Sequence, residues 1–142
     1  VGVPPTSMRG KRVLLTDDNA INRQVIRLFL APHGCHVVEA TNGRDALDAL
    51  AGATFDIVLL DIHMPVMDGK ETIQRLRASA HGWRYIPVIA LTADAMAGDR
   101  ERYLGLGMTD YVSKPIDQRE LIAKMQQALG INLDVSLART GT

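Results

Sequence analysis

The sequence predicts an α/β fold, a doubly wound five-stranded parallel sheet with helices on both faces. Short apolar runs alternate with segments of helical periodicity along the chain, the pattern of a parallel sheet built from strand–helix units. The runs are continuously apolar, as strands buried on both faces require. The chain has 142 residues, which suits one domain with a substantial core.

The first strand is Arg12 to Thr16 (RVLLT). A helix from Ala20 to Pro32 follows, with the apolar positions Ile21, Val25, Leu28 and Phe29 at helical spacing. Asp18 or Asn19 caps its start, and Pro32 with Gly34 marks its end. His36 to Ala40 is the second strand, and Gly43 to Leu50 a short helix with Ala46, Leu47 and Leu50 on one face. Asp56 to Leu60 (DIVLL) is the third strand, followed by a helix from Gly69 to Ala80 that turns Ile73 and Leu76 inward. The fourth strand is Ile86 to Leu91, with Pro87 near its start, where a missing donor is tolerated. Ala95 to Leu106 is a helix of mixed pattern, and Asp110 to Ser113 a short fifth strand. The last helix, Asp117 to Leu129, points Leu121, Ile122, Met125 and Leu129 inward and ends at Gly130. Residues 1–10 read as a linker or the edge of an excised piece, 11–130 as the domain, and 131–142 as a tail.

Composition narrows the function. Lys plus Arg number 16 and Asp plus Glu 16, so no bulk positive charge draws the chain to nucleic acid or to an anionic membrane. No apolar run approaches the length of a membrane span. The single cysteine, Cys35, forms no intrachain disulfide and fits a reducing, cytoplasmic setting as a small buried hydrophobe. His33, His36 and His81 read as surface residues, and Trp83 and Tyr85 as cover for the start of the fourth strand.

The polar residues at the carboxyl ends of the predicted strands carry the chemistry. The first strand ends in Asp17-Asp18, the third in Asp61, the fourth in Thr92 and the fifth in Ser113-Lys114-Pro115. In an open parallel sheet the ligand crevice lies outside those ends, where the strand order reverses. Three carboxylates crowded there repel unless cations offset them. Lys114 supplies one charge, and a divalent ion with all-oxygen ligation and retained water suits Mg²⁺. A carboxylate beside Mg²⁺ and Lys is a nucleophile suited to phosphoryl transfer, which depends mostly on positioning and charge stabilisation. A Thr hydroxyl can bond a phosphoryl oxygen.

Taken singly, each residue has a plainer role. Asp17-Asp18 can cap a helix, Asp61 can hold a turn, Thr92 can be an N-cap, and Lys114 can be a solvated lysine. It is their joint placement at four strand ends that argues for a site.

Four ordered motifs then carry a family resemblance: LLTDDN (Leu14–Asn19), LLDIHMPVMDG (Leu59–Gly69), IALTADA (Ile89–Ala95) and DYVSKP (Asp110–Pro115). The chain resembles the response-regulator receiver domain, the phospho-acceptor module of two-component signalling. The resemblance implies the flavodoxin-like, CheY-like (βα)5 fold with strand order 2-1-3-4-5. It implies that Asp61 is the phospho-acceptor, with Thr92 and Lys114 binding the phosphoryl group. It implies that Mg²⁺ is held by Asp17, Asp18, Asp61 and the backbone carbonyl of His63. It implies a switch made of Thr92 and Tyr111, and a cis peptide at Lys114-Pro115. DDNAINRQV and the long stretch from Leu91 to Asp117 are most similar to receivers attached to hybrid histidine kinases. The partners so implied are a histidine kinase dimerisation and phosphotransfer domain and a histidine phosphotransfer protein. A weak homodimer is also allowed. No nucleic acid or membrane contact is implied for the domain, although the parent kinase can be membrane-anchored.

Two rival functions remain open at this level. Asp61-Ile62-His63 and Gly98-Asp99 are fragments of metal-dependent phosphatase motifs, but the further G-N-H-[ED] motif is missing. An aspartyl-phosphate phosphatase would use Asp61 but wants a second Asp where His63 stands. The other rival is a receiver-like interaction module that takes no phosphate. For the domain itself, no enzyme activity is expected beyond self-catalysed phosphoryl transfer and autodephosphorylation.

Overall fold

The computed structural model describes residues 8–93 and 99–131. Strands β1 (Arg12–Thr16), β2 (His36–Ala40), β3 (Ile57–Asp61), β4 (Val88–Thr92) and β5 (Asp110–Ser113) form one sheet. Their order is β2-β1-β3-β4-β5, and every neighbouring pair is parallel. Helices α1 (Ala20–Leu30), α2 (Gly43–Gly52), α3 (Gly69–Ala78), α4 (Asp99–Leu106) and α5 (Gln118–Ala128) alternate with the strands. The order reverses between β1 and β3, so the crevice opens beside the ends of those two strands.

Strand periodicity divides the core. Leu14, Val58, Leu60, Val88 and Ala90 face one way and pack on Ala46, Leu50, Ile73, Leu76 and Tyr103 from α2, α3 and α4. Val13, Leu15, Ile57, Leu59, Ile89 and Leu91 face the other way, onto Ile26, Leu30, Leu121 and Met125 from α1 and α5. This two-sided burial is why the central strands β1, β3 and β4 read as apolar runs, whereas the edge strands β2 and β5 carry polar residues.

Helix starts follow side-chain caps that satisfy the first free N–H groups. Asn19 Oδ1 accepts from the N–H of Ile21 and Asn22, Asn42 caps α2, Asp68 caps α3 and Asp117 caps α5. Of the two candidates for the first cap, Asn19 takes the role.

Several boundaries differ from the sequence reading for identifiable reasons. β3 starts and ends one residue later, which makes Asp61 its last residue. β4 begins at Val88, because Ile86 closes a 3-10 turn over Gly82–Tyr85 and Pro87 has no N–H to give. α1 stops at Leu30, and Ala31–His33 tighten into a 3-10 turn with Pro32 inside and Gly34 left-handed. α2 runs two residues longer than read, to Gly52, and α3 stops at Ala78, where Ser79 turns extended. For α4, the expected start at Ala95 lies outside the described residues. Met8, which the sequence reading puts in a linker, is fully buried against the β1–α1–α5 core, and Ile131, read as tail, packs on the same cluster. Tyr85 is exposed rather than covering, while Trp83 does pack on the core.

The largest difference lies on α1. Ile26 and Leu30 are its buried residues, whereas Ile21 and Leu28 are 69% and 65% exposed and Val25 is also exposed. The stripe of Ile21, Val25 and Leu28 therefore faces solvent.

One half-buried cation pins the α3–α4 side. Arg77 donates from Nε to the Gly107 carbonyl (2.9 Å) and from Nη1 to those of Arg84 (2.8 Å) and Ile86 (2.6 Å). Removing the guanidinium strands three carbonyls, each worth about 1 kcal/mol or more when left unpaired. Arg77→Met is expected to lower stability by about 2–4 kcal/mol, read from the urea midpoint at unchanged slope.

Candidate functional site

Asp17 directly follows β1 and is fully buried, while Asp18, one residue on, is exposed at the rim. The Asp17 N–H donates to the Ala40 carbonyl (3.1 Å), and Asp17 Oδ1 accepts from the Asn19 N–H (2.9 Å). These bonds fix the carboxylate and leave Oδ2 buried with no hydrogen-bond partner, 3.4 Å from Lys114 Nζ. Asp61 is 2% exposed, and its Oδ1 lies 3.1 Å from the same ammonium and accepts a 3.3 Å bond from the His63 N–H. Lys114 thus stands between two buried carboxylates. Its own N–H donates to the Thr92 carbonyl (2.7 Å), which ties the end of β5 to that of β4. The Lys114–Pro115 peptide bond is cis.

The electrostatics follow from this crowding. Burial, and then the negative charge of Asp17, push the Asp61 carboxyl up to about 6, while Lys114 works in the opposite direction. One lysine does not balance the cluster. Asp17, Asp18 and Asp61 each offer an oxygen within 4.8 Å of the others, an all-carboxylate set at the scale of one cation. Asp17 Oδ2, which accepts no hydrogen bond, is an atom such an ion would satisfy. Hard oxygen donors with one exposed edge suit Mg²⁺, which keeps several waters.

The loop after β3 explains the rest of the Asp61 motif. The Gly69 N–H donates to the Ile62 carbonyl (2.9 Å). A Cβ at Gly69 would stand 2.6 Å from the Asp61 carbonyl oxygen, so only glycine lets α3 begin against the strand that carries Asp61. Pro65, Val66 and Met67 form a tight turn with a 2.7 Å bond from the Met67 N–H to the Pro65 carbonyl, and Val66 sits at φ 70.

Thr92 ends β4, fully buried, and its hydroxyl pairs with the Tyr103 hydroxyl at 2.8 Å. Tyr111 is half-buried on β5, with its ring centroid 5.4 Å from that of Tyr103 and Lys124 Nζ 4.8 Å from its own. The sequence reading missed Tyr103. Its partner Thr92 is 11 residues away in sequence, and a hydroxyl pair at that separation leaves no pattern to read. His63 is exposed, and among the described residues no histidine joins the acidic cluster.

The profile of the response regulator receiver domain matches residues 13–126. The chain belongs to that family. It is similar to the sensor protein GacS of Pseudomonas syringae pv. syringae, 38% identical over 132 residues, covering 92% of this chain and 15% of that protein. It is also similar to the signal transduction histidine-protein kinase BarA of Escherichia coli K12, 39% identical over 109 residues, covering 77% of this chain and 12% of BarA. The receiver therefore spans a small part of the length of these relatives. Among solved structures, the receiver domain of sensor histidine kinase PA1611 from Pseudomonas aeruginosa PAO1 aligns with TM-score 0.77 and 37% identity, covering 85% of this chain and 98% of that one. That structure has a magnesium ion coordinated in its active-site cleft. The chemotaxis response regulator CheY4 of Vibrio cholerae aligns with TM-score 0.77 and 28% identity, covering 84% and 98%. This receiver thus has the CheY-like fold and an acidic pocket at the strand ends, and it is related to the receivers of hybrid sensor kinases.

Proposed function

We propose that this receiver takes a phosphoryl group from a phosphohistidine onto Asp61. The observation that carries this reading is the bridging of the buried Asp61 and Asp17 carboxylates by Lys114, at 3.1 and 3.4 Å, at the point where the strand order reverses. A carboxylate oxygen of Asp61 attacks phosphorus, a P–O bond forms, the P–N bond breaks, and the imidazole leaves and takes up a proton from solvent. Asp61 must be ionised to attack, and with its pKa near 6 it is mostly ionised at pH 7. Lys114 offsets charge on one phosphoryl oxygen and Thr92 supplies a hydroxyl donor to another. Asp17, Asp18, Asp61 and the His63 carbonyl would hold Mg²⁺, which when bound supplies the remaining positive charge for the transferring group.

The same reading extends to the partners. The segment is the receiver of a cytoplasmic portion of a hybrid histidine kinase and passes its phosphoryl group to a histidine phosphotransfer protein. Relatives named as sensor and hybrid histidine kinases support the parentage. The exposed Ile21, Val25 and Leu28 stripe on α1, the helix that follows Asp17-Asp18, gives a partner helix an apolar surface.

Intact-mass measurement with acetyl phosphate and Mg²⁺ tests the reading. The wild type is expected to gain one phosphoryl group and Asp61→Asn none. An unchanged wild-type mass favours the interaction module, and rapid turnover of para-nitrophenyl phosphate favours a phosphatase.

A further inference from the structure

We propose that Tyr103 is a positioning residue for Thr92. Its hydroxyl holds the Thr92 hydroxyl toward α4 in the unphosphorylated protein and gives it up when a phosphoryl group on Asp61 takes that hydroxyl as donor. The inference rests on the phospho-acceptor reading of Asp61.

The two hydroxyls are 2.8 Å apart, and both residues are buried, at 0% and 1% exposure. A bond between buried hydroxyls is not readily replaced by water, so a competing acceptor for Thr92 works against it. Each hydroxyl carries a single hydrogen. If Thr92 donates to Tyr103, that hydrogen must turn to reach a phosphoryl oxygen. If Thr92 accepts from Tyr103, moving its oxygen toward the phosphoryl group stretches the bond. Either way, Tyr103 and the phosphoryl group compete for one side chain.

The surroundings hold Tyr103 ready for this role. Arg102 Nη2 donates to the Tyr103 hydroxyl at 3.3 Å, and the same nitrogen pairs with Asp99 at 3.0 Å. The Tyr103 ring contacts Tyr111, so its release is felt on β5. Helix α4 has only Asp99 and Tyr103 as buried residues, so Tyr103 is its main apolar anchor. The other apolar residue that α4 packs on the core, Leu106, is only partly buried, so the helix responds to a change at Tyr103.

The test is a double-mutant cycle read by beryllofluoride binding in the presence of Mg²⁺, with Tyr103→Phe and Thr92→Val. Tyr103→Phe keeps the ring against Tyr111 and removes only the hydroxyl. It is expected to bind beryllofluoride roughly threefold to tenfold more tightly than wild type, the range set by one net hydrogen bond. In the Thr92→Val background the same change is expected to have no effect. Unchanged or weaker binding in Tyr103→Phe overturns the proposal, as does an equal gain in the Thr92→Val background. A second measurement leaves Tyr103 in place: α4 amides in Thr92→Val are expected to exchange several times faster than in wild type, and unchanged exchange overturns the proposal. Wild-type protein that neither binds beryllofluoride nor takes up phosphate fails the Asp61 reading itself. Normal phosphorylation with no coupling between the two substitutions fails Tyr103 alone.

Discussion

Lys114→Met is expected to take up phosphoryl groups at Asp61 about 100 to 1,000 times more slowly than wild type, the loss typical of removing one preorganised charge from a transition state. Lys114 Nζ is the cation between Asp61 Oδ1 and Asp17 Oδ2, at 3.1 and 3.4 Å. Without it, two buried carboxylates face each other with less compensation, Asp61 holds its proton to higher pH, and the entering phosphoryl oxygens lose a donor. A time course of intact mass with acetyl phosphate reads the rate directly. A loss of less than fivefold would place Lys114 outside the transfer step and return it to a structural role.

Asp61→Asn is expected to make the metal-free protein more stable at neutral pH, by about 1–3 kcal/mol. The folded-state pKa of Asp61 is raised from 3.8 to about 6 by burial and by Asp17. The folded protein therefore binds the proton more tightly than the unfolded chain. Stability from this group is fully present below the unfolded pKa, falls as pH rises from about 4 to about 6, and stays reduced above that. The asparagine variant carries no such penalty, so the two proteins should have similar stability near pH 4 and diverge as pH approaches 7. Urea denaturation with EDTA at a series of pH values measures the gap. Added Mg²⁺ should narrow it, because an ion bound only to the folded wild type stabilises that protein alone. A gap that is constant with pH would assign the effect to packing instead of charge.

The sequence made the sheet and the pocket legible because one physical cause produced both signals. Strands buried on both faces must be apolar throughout, so the first polar residue after each run marks the strand's end and the crevice together. Asp61 and Thr92 end such runs, Asp17 and Lys114 stand one residue beyond the ends of β1 and β5, and the structure brings all four to one end of the sheet. Helix α1 was less legible because it carries two apolar stripes. The spacing of Ile21, Val25 and Leu28 resembles a core face, but Ile26 and Leu30 are the residues buried against β1 and α5. Periodicity shows that a helix is amphipathic without saying which of two stripes meets the sheet. Tyr103 was invisible for a related reason. Its partner Thr92 is 11 residues away, and a side-chain hydroxyl pair leaves no periodic trace. Met8 escaped because one buried residue ahead of the first strand makes no pattern.

The most direct test of the account is the chemical identity of the residue that is phosphorylated. An aspartyl phosphate is an acyl phosphate, and borohydride reduces it to an alcohol, which leaves homoserine in place of the aspartate. Wild-type protein treated with acetyl phosphate and Mg²⁺, reduced, digested and sequenced by mass spectrometry should carry homoserine at position 61 and nowhere else. Reduction product at another aspartate, or phosphate retained on His63 with Asp61 unmodified, would contradict the assignment.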